Sequence, residues 1–371
     1  MEGHSSVPYR SAKRFVRAAI RGAGRVQTTG SRVLRLANRE LKSTVDIPLK
    51  RKLWAYRHGY VSSSVPLYDL SEENRHDYLS EWERERAREI NGELALVHEN
   101  KLLFHYVLQP VFPDELPTLY GYLHDGQFHS SPLSSVEYDS LQDFVDRHGA
   151  LIAKPADGAL GSGVRVVEQT GDGYRIDGQQ SDPAKIGALV RQNDRYVVTE
   201  FCEQADYAAE IFPGAPNTIR IMTMVDPDAR EPFIGALDHR FGTEKSVPVD
   251  NTAQGGLSAG VDLDTGELTE AVDLPKGRTV DRYRSHPETG ASIEGVKIPG
   301  WQRIHDRLLE MAAYLAPVTP YIGWDVLVTN DDGAFVVVEA NSYPDVPLQT
   351  HEPLLGDERI RRFYEYHDVV S

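Results

Sequence analysis

The sequence predicts an α+β protein made mainly of antiparallel strands, and three observations carry that reading. From about residue 126 onward, β-rich runs at 151–154, 164–168, 196–202, 218–225, 233–241, 321–329 and 334–341 outnumber helical ones. Glycine-rich turns separate neighbouring runs, which favours hairpins over long crossovers. Helical spacing of apolar residues is clearest only at 140–148, 183–192 and 302–315.

Upstream, the chain changes character twice. Within 8–44, Phe15, Ala18 and Ala19, then Val33, Leu36, Ala37 and Leu41, recur at three- and four-residue spacing with arginines between them. That pattern predicts one or two basic amphipathic helices, interrupted by Gly22, Gly24 and Gly30. Residues 50–125 read as a small mixed segment: a charged helix over about 71–91, a second beginning near Asn100, breaks at Pro110, Pro113 and Pro117, and a short strand at 118–124. The expected organisation is a basic helical segment at 1–57, a small region at 58–125 and a main unit at 126–371.

Charge is distributed unevenly over the 371 residues, whose net charge is −16. The first 57 residues hold 14 Lys and Arg against 3 acids, a balance of +11, which leaves −27 on the rest. An acidic body of that size repels nucleic acid, so no nucleic-acid partner is expected. The basic segment suits either packing on the acidic body or, through residues 8–44, a peripheral contact with an anionic membrane. No apolar run approaches the roughly 20 residues a membrane span needs. The N-terminus also lacks an apolar core followed by a small-residue cleavage site. Cys202 is the only cysteine, which excludes an intramolecular disulfide and fits a reducing compartment. A cytoplasmic location, with or without contact at the inner membrane surface, is the expectation.

The sharpest local signal lies in the run from Gly323 to Asn341: two β-rich stretches flank Asn330-Asp-Asp-Gly333, which reads as a hairpin. A three-residue loop with Gly333 left-handed would pair Asn330 with Ala334 and set Asp325 opposite Glu339. Alternation then puts Asn341 on the same face. Like charges on directly opposed residues are destabilising, so two carboxylates there call for a cation between them. Two carboxylates and an amide oxygen form a hard, all-oxygen set suited to Mg²⁺ bridging nucleotide phosphates. The second signal is Lys154, followed by glycines at 158, 161 and 163 between two strand-like runs. Such a loop can aim backbone N–H groups at phosphate oxygens, with Lys154 as a point charge beside them. It is neither a Walker loop nor a dinucleotide fingerprint, because no helix follows it.

The order of these segments (Lys154 and its glycine loop, then Val197 to Glu203, then Asp325 and Glu339-Ala-Asn341) resembles the ATP-grasp superfamily. Within it the chain is similar to the sugar-transfer-associated ATP-grasp branch. That likeness rests on Asn100-Lys101 opening a helix, Asn217-Thr-Ile-Arg220, Asp238-His-Arg240-Phe-Gly and Val249-Asp250-Asn251 with Gly255-Gly256. It continues in His286-Pro-Glu-Thr-Gly290 followed by Ile298-Pro-Gly-Trp301. The resemblance spans about residues 50–350 and implies two α+β lobes, a lid or small lobe at about 126–200 and a large lobe at about 201–371, with nucleotide between them.

It further implies ATP with Mg²⁺, or Mn²⁺ in its place. Lys101 and Lys154 would contact phosphates, and Gly158, Gly161 and Gly163 would form the mobile lid. Glu200, Phe201, Cys202 and Glu203 would hold adenine and ribose, while Asp325, Glu339 and Asn341 would ligate the metal. Arg220, Arg240 and Asn251 would act at the reacting centre. Plainer readings stand beside these: Arg220 and Arg240 as ion-pair partners, Asp250 and Asn251 as a turn, His286 as a loop anchor and Cys202 as a small buried hydrophobe. The activity implied is an ADP-forming ligase that activates a small-molecule or glycan-related carboxylate as an acyl phosphate for an amine, in polysaccharide or cell-surface precursor synthesis. A kinase acting on a sugar or other hydroxyl, and a non-catalytic nucleotide-binding scaffold, stay open.

Overall fold

Runs rich in β-branched and aromatic residues assemble into two antiparallel sheets in the computed structural model, which describes residues 30–134, 138–158, 163–273, 280–344 and 349–371. The first sheet holds β1 (Leu119–His124), β2 (Gln127–Ser130), β3 (Ala150–Pro155), β4 (Arg165–Thr170), β5 (Gly173–Ile176), β6 (Gln179–Ser181) and β7 (Tyr196–Glu200). Its strand order is β2-β1-β7-β3-β4-β5-β6. The second holds β8 (Ile219–Val225), β9 (Pro232–Phe241), β10 (Leu257–Val261), β11 (Leu268–Val272), β12 (Arg282–Tyr283), β13 (Tyr321–Val328) and β14 (Phe335–Asn341). Its order is β12-β11-β10-β9-β8-β13-β14. The expected α+β class, with mainly antiparallel strands, is what the chain adopts.

Helix starts follow their capping chemistry. Ser140 and Asp182 accept from the backbone N–H of Asp143 and Lys185 and open the helices Leu141–His148 and Pro183–Gln192. Leu141, Phe144, Val145, Ile186 and Leu189 from those helices pack on Leu151, Val167 and Val198 of the first sheet. The helix Trp301–Leu315 repeats Trp301, Ile304, Leu308, Met311 and Leu315 on one face, against Ile322, Trp324 and Val326 of β13. Alternation along β13 turns Tyr321 and Asp325 the other way. The helix Glu358–Tyr366 covers the Tyr321 end of that second face through Ile360, Phe363 and Tyr364. The Asp325 end is left to line a cleft.

Several expectations are corrected. The charged helix expected over 71–91 is only Glu81–Ala87, because Ser80 and Glu83 form a reciprocal capping box that starts it late. Ahead of it, Ser71 and Asn74 close a side-chain turn that competes with helix. The strand expected at 118–124 is β1, an inner strand of the first sheet between β2 and β7. Strands β2, β5, β6, β10, β11 and β12 were not foreseen, since two to five residues are too few to establish alternation.

Of the expected N-terminal helices, residues 30–42 form one, and 8–29 lie outside the described residues. Its arginines turn toward the acidic body: Arg32 pairs with Glu89, and Arg35 Nε lies 2.6 Å from Glu85. Among the described residues no helix is long and apolar enough to cross a membrane.

Candidate functional site

The hairpin β13–β14 brings Asp325 opposite Glu339, though not by the expected loop. The Asn330 side chain accepts from the N–H of Asp332 and Ala334, closing a four-residue loop from Asn330 to Gly333. Gly333 is left-handed at φ +80°, and a Cβ there would sit 2.5 Å from Gly300. Next to this loop Val328 pairs with Phe335 and Val326 with Val337. Continued unchanged, that register would put Glu339 opposite Trp324 and turn its carboxylate to the buried face. Instead Val338 is an extra residue on β14, a bulge that restores the pairing of Asp325 with Glu339 and of Gly323 with Asn341.

The bulge has a second effect. Its carbonyl is released from the ladder and accepts a 2.8 Å hydrogen bond from Lys154 Nζ, which reaches across from β3 of the first sheet. Burial, then the nearby Lys101 charge, depresses the Lys154 ammonium to about 8, against the pull of Glu339. Lys101 opens the helix Lys101–Leu108, whose N-cap Asn100 also donates to Asp157 at 2.6 Å. Lys101 Nζ donates to the Gly158 carbonyl at 2.8 Å and lies 3.6 Å from Glu339 Oε2. Both lysines therefore meet the β14 acid face. Gly163 is left-handed at φ +80° with Tyr196 Oη 2.8 Å from where a Cβ would be, a position only glycine fills without strain. Gly161 lies outside the described residues.

Asp325 is the hub of a buried ion network. Its Oδ1 lies 2.9 Å from Arg220 Nε and 2.5 Å from Arg240 Nη2. Arg220 stands beside Asp325 because β8 pairs with β13 at that position. Arg240 also donates to Thr218 Oγ1 at 2.9 Å, and Thr218 donates both its N–H and its hydroxyl to Asp250. Burial pushes the Asp250 carboxyl up, opposed by Arg240 and the Thr218 bonds. Two guanidinium groups and two carboxylates hold one another where an unpaired charge would be costly. The plainer reading of both arginines as ion-pair partners is thus met, while both also line the cleft of about 740 Å³ that contains Asp325, Glu339, Asn341 and Gly158.

Among the described residues, Arg220 Nη1 and Asn341 Nδ2 are buried donors on this face without a hydrogen-bond partner. Such atoms await a ligand or water. The donor set fits a divalent cation, since Asp325, Glu339 and Asn341 offer only hard oxygens from paired strands.

The remaining candidates are distributed as follows. Glu200 ends β7 and accepts from Thr118 N–H and hydroxyl, Phe201 and Cys202 are half-buried, and Glu203 is exposed. They form the link from the first sheet to the second, anchored where Ala205 N–H donates to Val328. Burial, then the Glu200 charge, pushes the Cys202 thiol up to about 12, so it is no nucleophile near neutrality. Asn251 lines the cleft, but its side chain accepts from Ala253 N–H in a local turn. His286 hydrogen-bonds the Gly242 carbonyl and caps Glu288 and Thr289, which makes it a loop anchor. Sequence reasoning missed Val338, Glu99, Arg39, Arg88 and Tyr343 as cleft residues. Val338, next to Glu339, and Tyr343, two residues past Asn341, carried a signal by proximity; the others carried none.

The decisive comparison is with protein families, where the model for "Sugar-transfer associated ATP-grasp" matches residues 85–356. The chain belongs to that family. Its fold is the ATP-grasp fold, two α+β lobes with the cleft between them. Among curated proteins none matches the sequence. Among solved structures it is similar to an L-amino acid ligase from Bacillus licheniformis, at 12% identity and TM-score 0.37 over 73% of this chain and 48% of that one. It is also similar to an N5-carboxyaminoimidazole ribonucleotide synthetase from Thermotoga maritima (10%, TM-score 0.33, 72% and 50%). A third is the D-alanine–D-alanine ligase from Bacillus anthracis complexed with ATP (13%, TM-score 0.35, 75% and 69%). This ATP-grasp chain spans about half the length of the first two.

Proposed function

We propose that this ATP-grasp protein is an ADP-forming ligase that joins a carboxylate to an amine using ATP and Mg²⁺. The observation that carries the reading is the bulged hairpin: it sets Asp325 against Glu339, with Asn341 two residues on, and meets two lysines, Lys154 from the first sheet at the Val338 carbonyl and Lys101 beside Glu339. Mg²⁺–ATP would supply the phosphoryl group that activates the carboxylate, with ADP and phosphate released after amine attack. Asp325, Glu339 and Asn341 would hold the metal, Lys101 and Lys154 the phosphates, and residues 200–203 the adenosine. Arg220 and Arg240, held rigid by Asp325, Thr218 and Asp250, would meet negative charge spreading from the transferred group. Little covalent work falls to the protein; positioning and charge neutralisation carry the reaction.

ADP release tested over carboxylate and amine pairs drawn from polysaccharide precursors, with Lys154→Ala as blank, decides the reading. Free phosphate appearing only when both substrates are present supports ligation; a stable phosphorylated product with one hydroxyl substrate supports a kinase instead. The finer assignment is to glycan or cell-surface precursors in the cytoplasm, with contact at the inner membrane surface. It draws support from the outward face of the helix at 30–42, where Val33, Leu34 and Leu41 are 52%, 72% and 85% exposed beside Lys42. Sedimentation with anionic liposomes that persists unchanged after removal of residues 1–45 would sink the membrane part.

A further inference from the structure

The helix at 30–42 precedes the family match, yet it reaches the cleft, because Arg39 is part of the cleft wall. It directs Arg32, Arg35 and Arg39 at acids and Tyr343 of the body and leaves Val33, Leu34 and Leu41 largely exposed. Its inward arginines converge on one acid. Glu85, whose side chain is fully buried, lies 2.6 Å from Arg35, 3.6 Å from Arg39 and 3.2 Å from Arg88. Three guanidinium groups thus share one carboxylate, an excess of two positive charges in a chain whose net charge is −16.

Tyr343 organises the cluster. Its hydroxyl accepts from Arg39 at 2.9 Å and donates to Glu85 at 3.0 Å, and the Arg88 guanidinium lies 3.6 Å from its ring centroid. Arg39 and Arg88 keep 33% and 40% of their side chains exposed, and both open onto the cleft. The strand that carries Glu339 and Asn341 ends at Asn341, and the chain bends through Ser342 into Tyr343, so the cluster follows the metal face directly in the chain and shares its cleft wall. Glu99, an acid of the same wall on which Arg88 also acts, can offset at most one more of the three charges, so a positive excess is left. Planar, preoriented guanidinium groups in excess over their carboxylate are suited to a bidentate anion.

We propose that Arg39 and Arg88, set by Tyr343 and Glu85, form a second anion site in the cleft, which binds a fixed carboxylate or phosphate on the substrate to be ligated. That substrate then carries a negative charge besides the carboxylate that reacts. This rests on the ligase reading for the word "substrate", and the site itself can be tested without turnover.

The test is titration calorimetry on the full chain with Mg²⁺ and a non-hydrolysable ATP analogue at saturation. The probes are glutarate and glycerol 3-phosphate, with butyrate as the single-charge reference. The wild type should bind at least one of the two-charge probes about tenfold or more tighter than butyrate, and which one it prefers separates carboxylate from phosphate. Arg39→Ala and Arg88→Ala should each erase that preference while leaving analogue affinity unchanged. Arg35→Ala, which touches Glu85 but lies off the cleft wall, should keep it. No preference in the wild type, a preference surviving in both cleft variants, or equal loss in Arg35→Ala would each overturn the proposal. ADP release from no acid–amine pair alongside an Arg39-dependent preference would fell the ligase reading and leave the anion site standing. ADP release without the preference would do the reverse.

Discussion

The two sheets meet at one cleft but handle charge differently. In the second sheet every residue of β13 is buried, as are the first six of β8, so charges there meet water only along the cleft wall. Arg220, Arg240, Asp325 and Asp250 accordingly neutralise one another within a few ångströms. In the first sheet, β4, β5 and β6 are mostly half-buried or exposed, with Val167, Tyr174 and Ile176 as their links to the helices beneath. Its contribution is one lysine that crosses to the other sheet for its hydrogen bond. The buried face offers a preformed charge arrangement held by several partners, while the open sheet offers a single lysine tethered by one hydrogen bond. A cation site wants the first and a phosphate lid the second.

The largest expected effect breaks the rigid side. Asp325→Asn should lower ADP release about a hundredfold or more. It should also cost about 3 kcal/mol of stability in denaturant titration, because Arg220 and Arg240 stay buried with their shared charge removed. Equal activity in that variant would refute the metal assignment. On the open side, Lys154→Ala should weaken ATP-analogue binding about tenfold with little change in stability, measured by calorimetry and by thermal melting.

A pH experiment sharpens the same point. The free protein loses the Lys154 charge as pH rises through about 8, whereas bound phosphates favour the charged form. Nucleotide affinity should therefore fall above that pH and binding should take up a proton there, seen as a buffer-dependent heat that Lys154→Ala abolishes. Deleting Val338 should keep Glu339 opposite Asp325, because the shortened strand continues the register of the turn, but it removes the carbonyl that anchors Lys154. Hydrogen exchange in β4 to β6 should rise severalfold while the β13 amides stay protected. The smallest effect is expected from Cys202→Ala, which should leave ADP release within about twofold, since a thiol raised to about 12 takes no part.

Local chemistry was legible wherever it was repeated or capped. The long strands of the second sheet, the helices opened by Ser140, Asp182 and Asn100, and the hairpin around Gly333 all follow from residues close in sequence. The short edge strands and the late start of Glu81–Ala87 did not, because few residues vote on each. The hairpin shows both sides of this. Pairing of Asp325 with Glu339 was foreseen, but through a three-residue loop; the molecule reaches it with a four-residue loop and a compensating bulge at Val338. Two local errors in register cancelled, and alternation gives no sign of a bulge in advance.

What the sequence determined by itself is the class of fold, the order of lysine, glycine loop and paired acids, and the basic character of the first 57 residues. Each depends on spacing or composition, which the chain carries wherever it folds. Tertiary structure alone decided that Asp325 is shared by Arg220 and Arg240, that Lys154 hangs from the opposite sheet, and that Arg39 enters the cleft over three hundred residues before Tyr343. Charges act through space at a few ångströms, and only packing brings residues so far apart in the chain within that range.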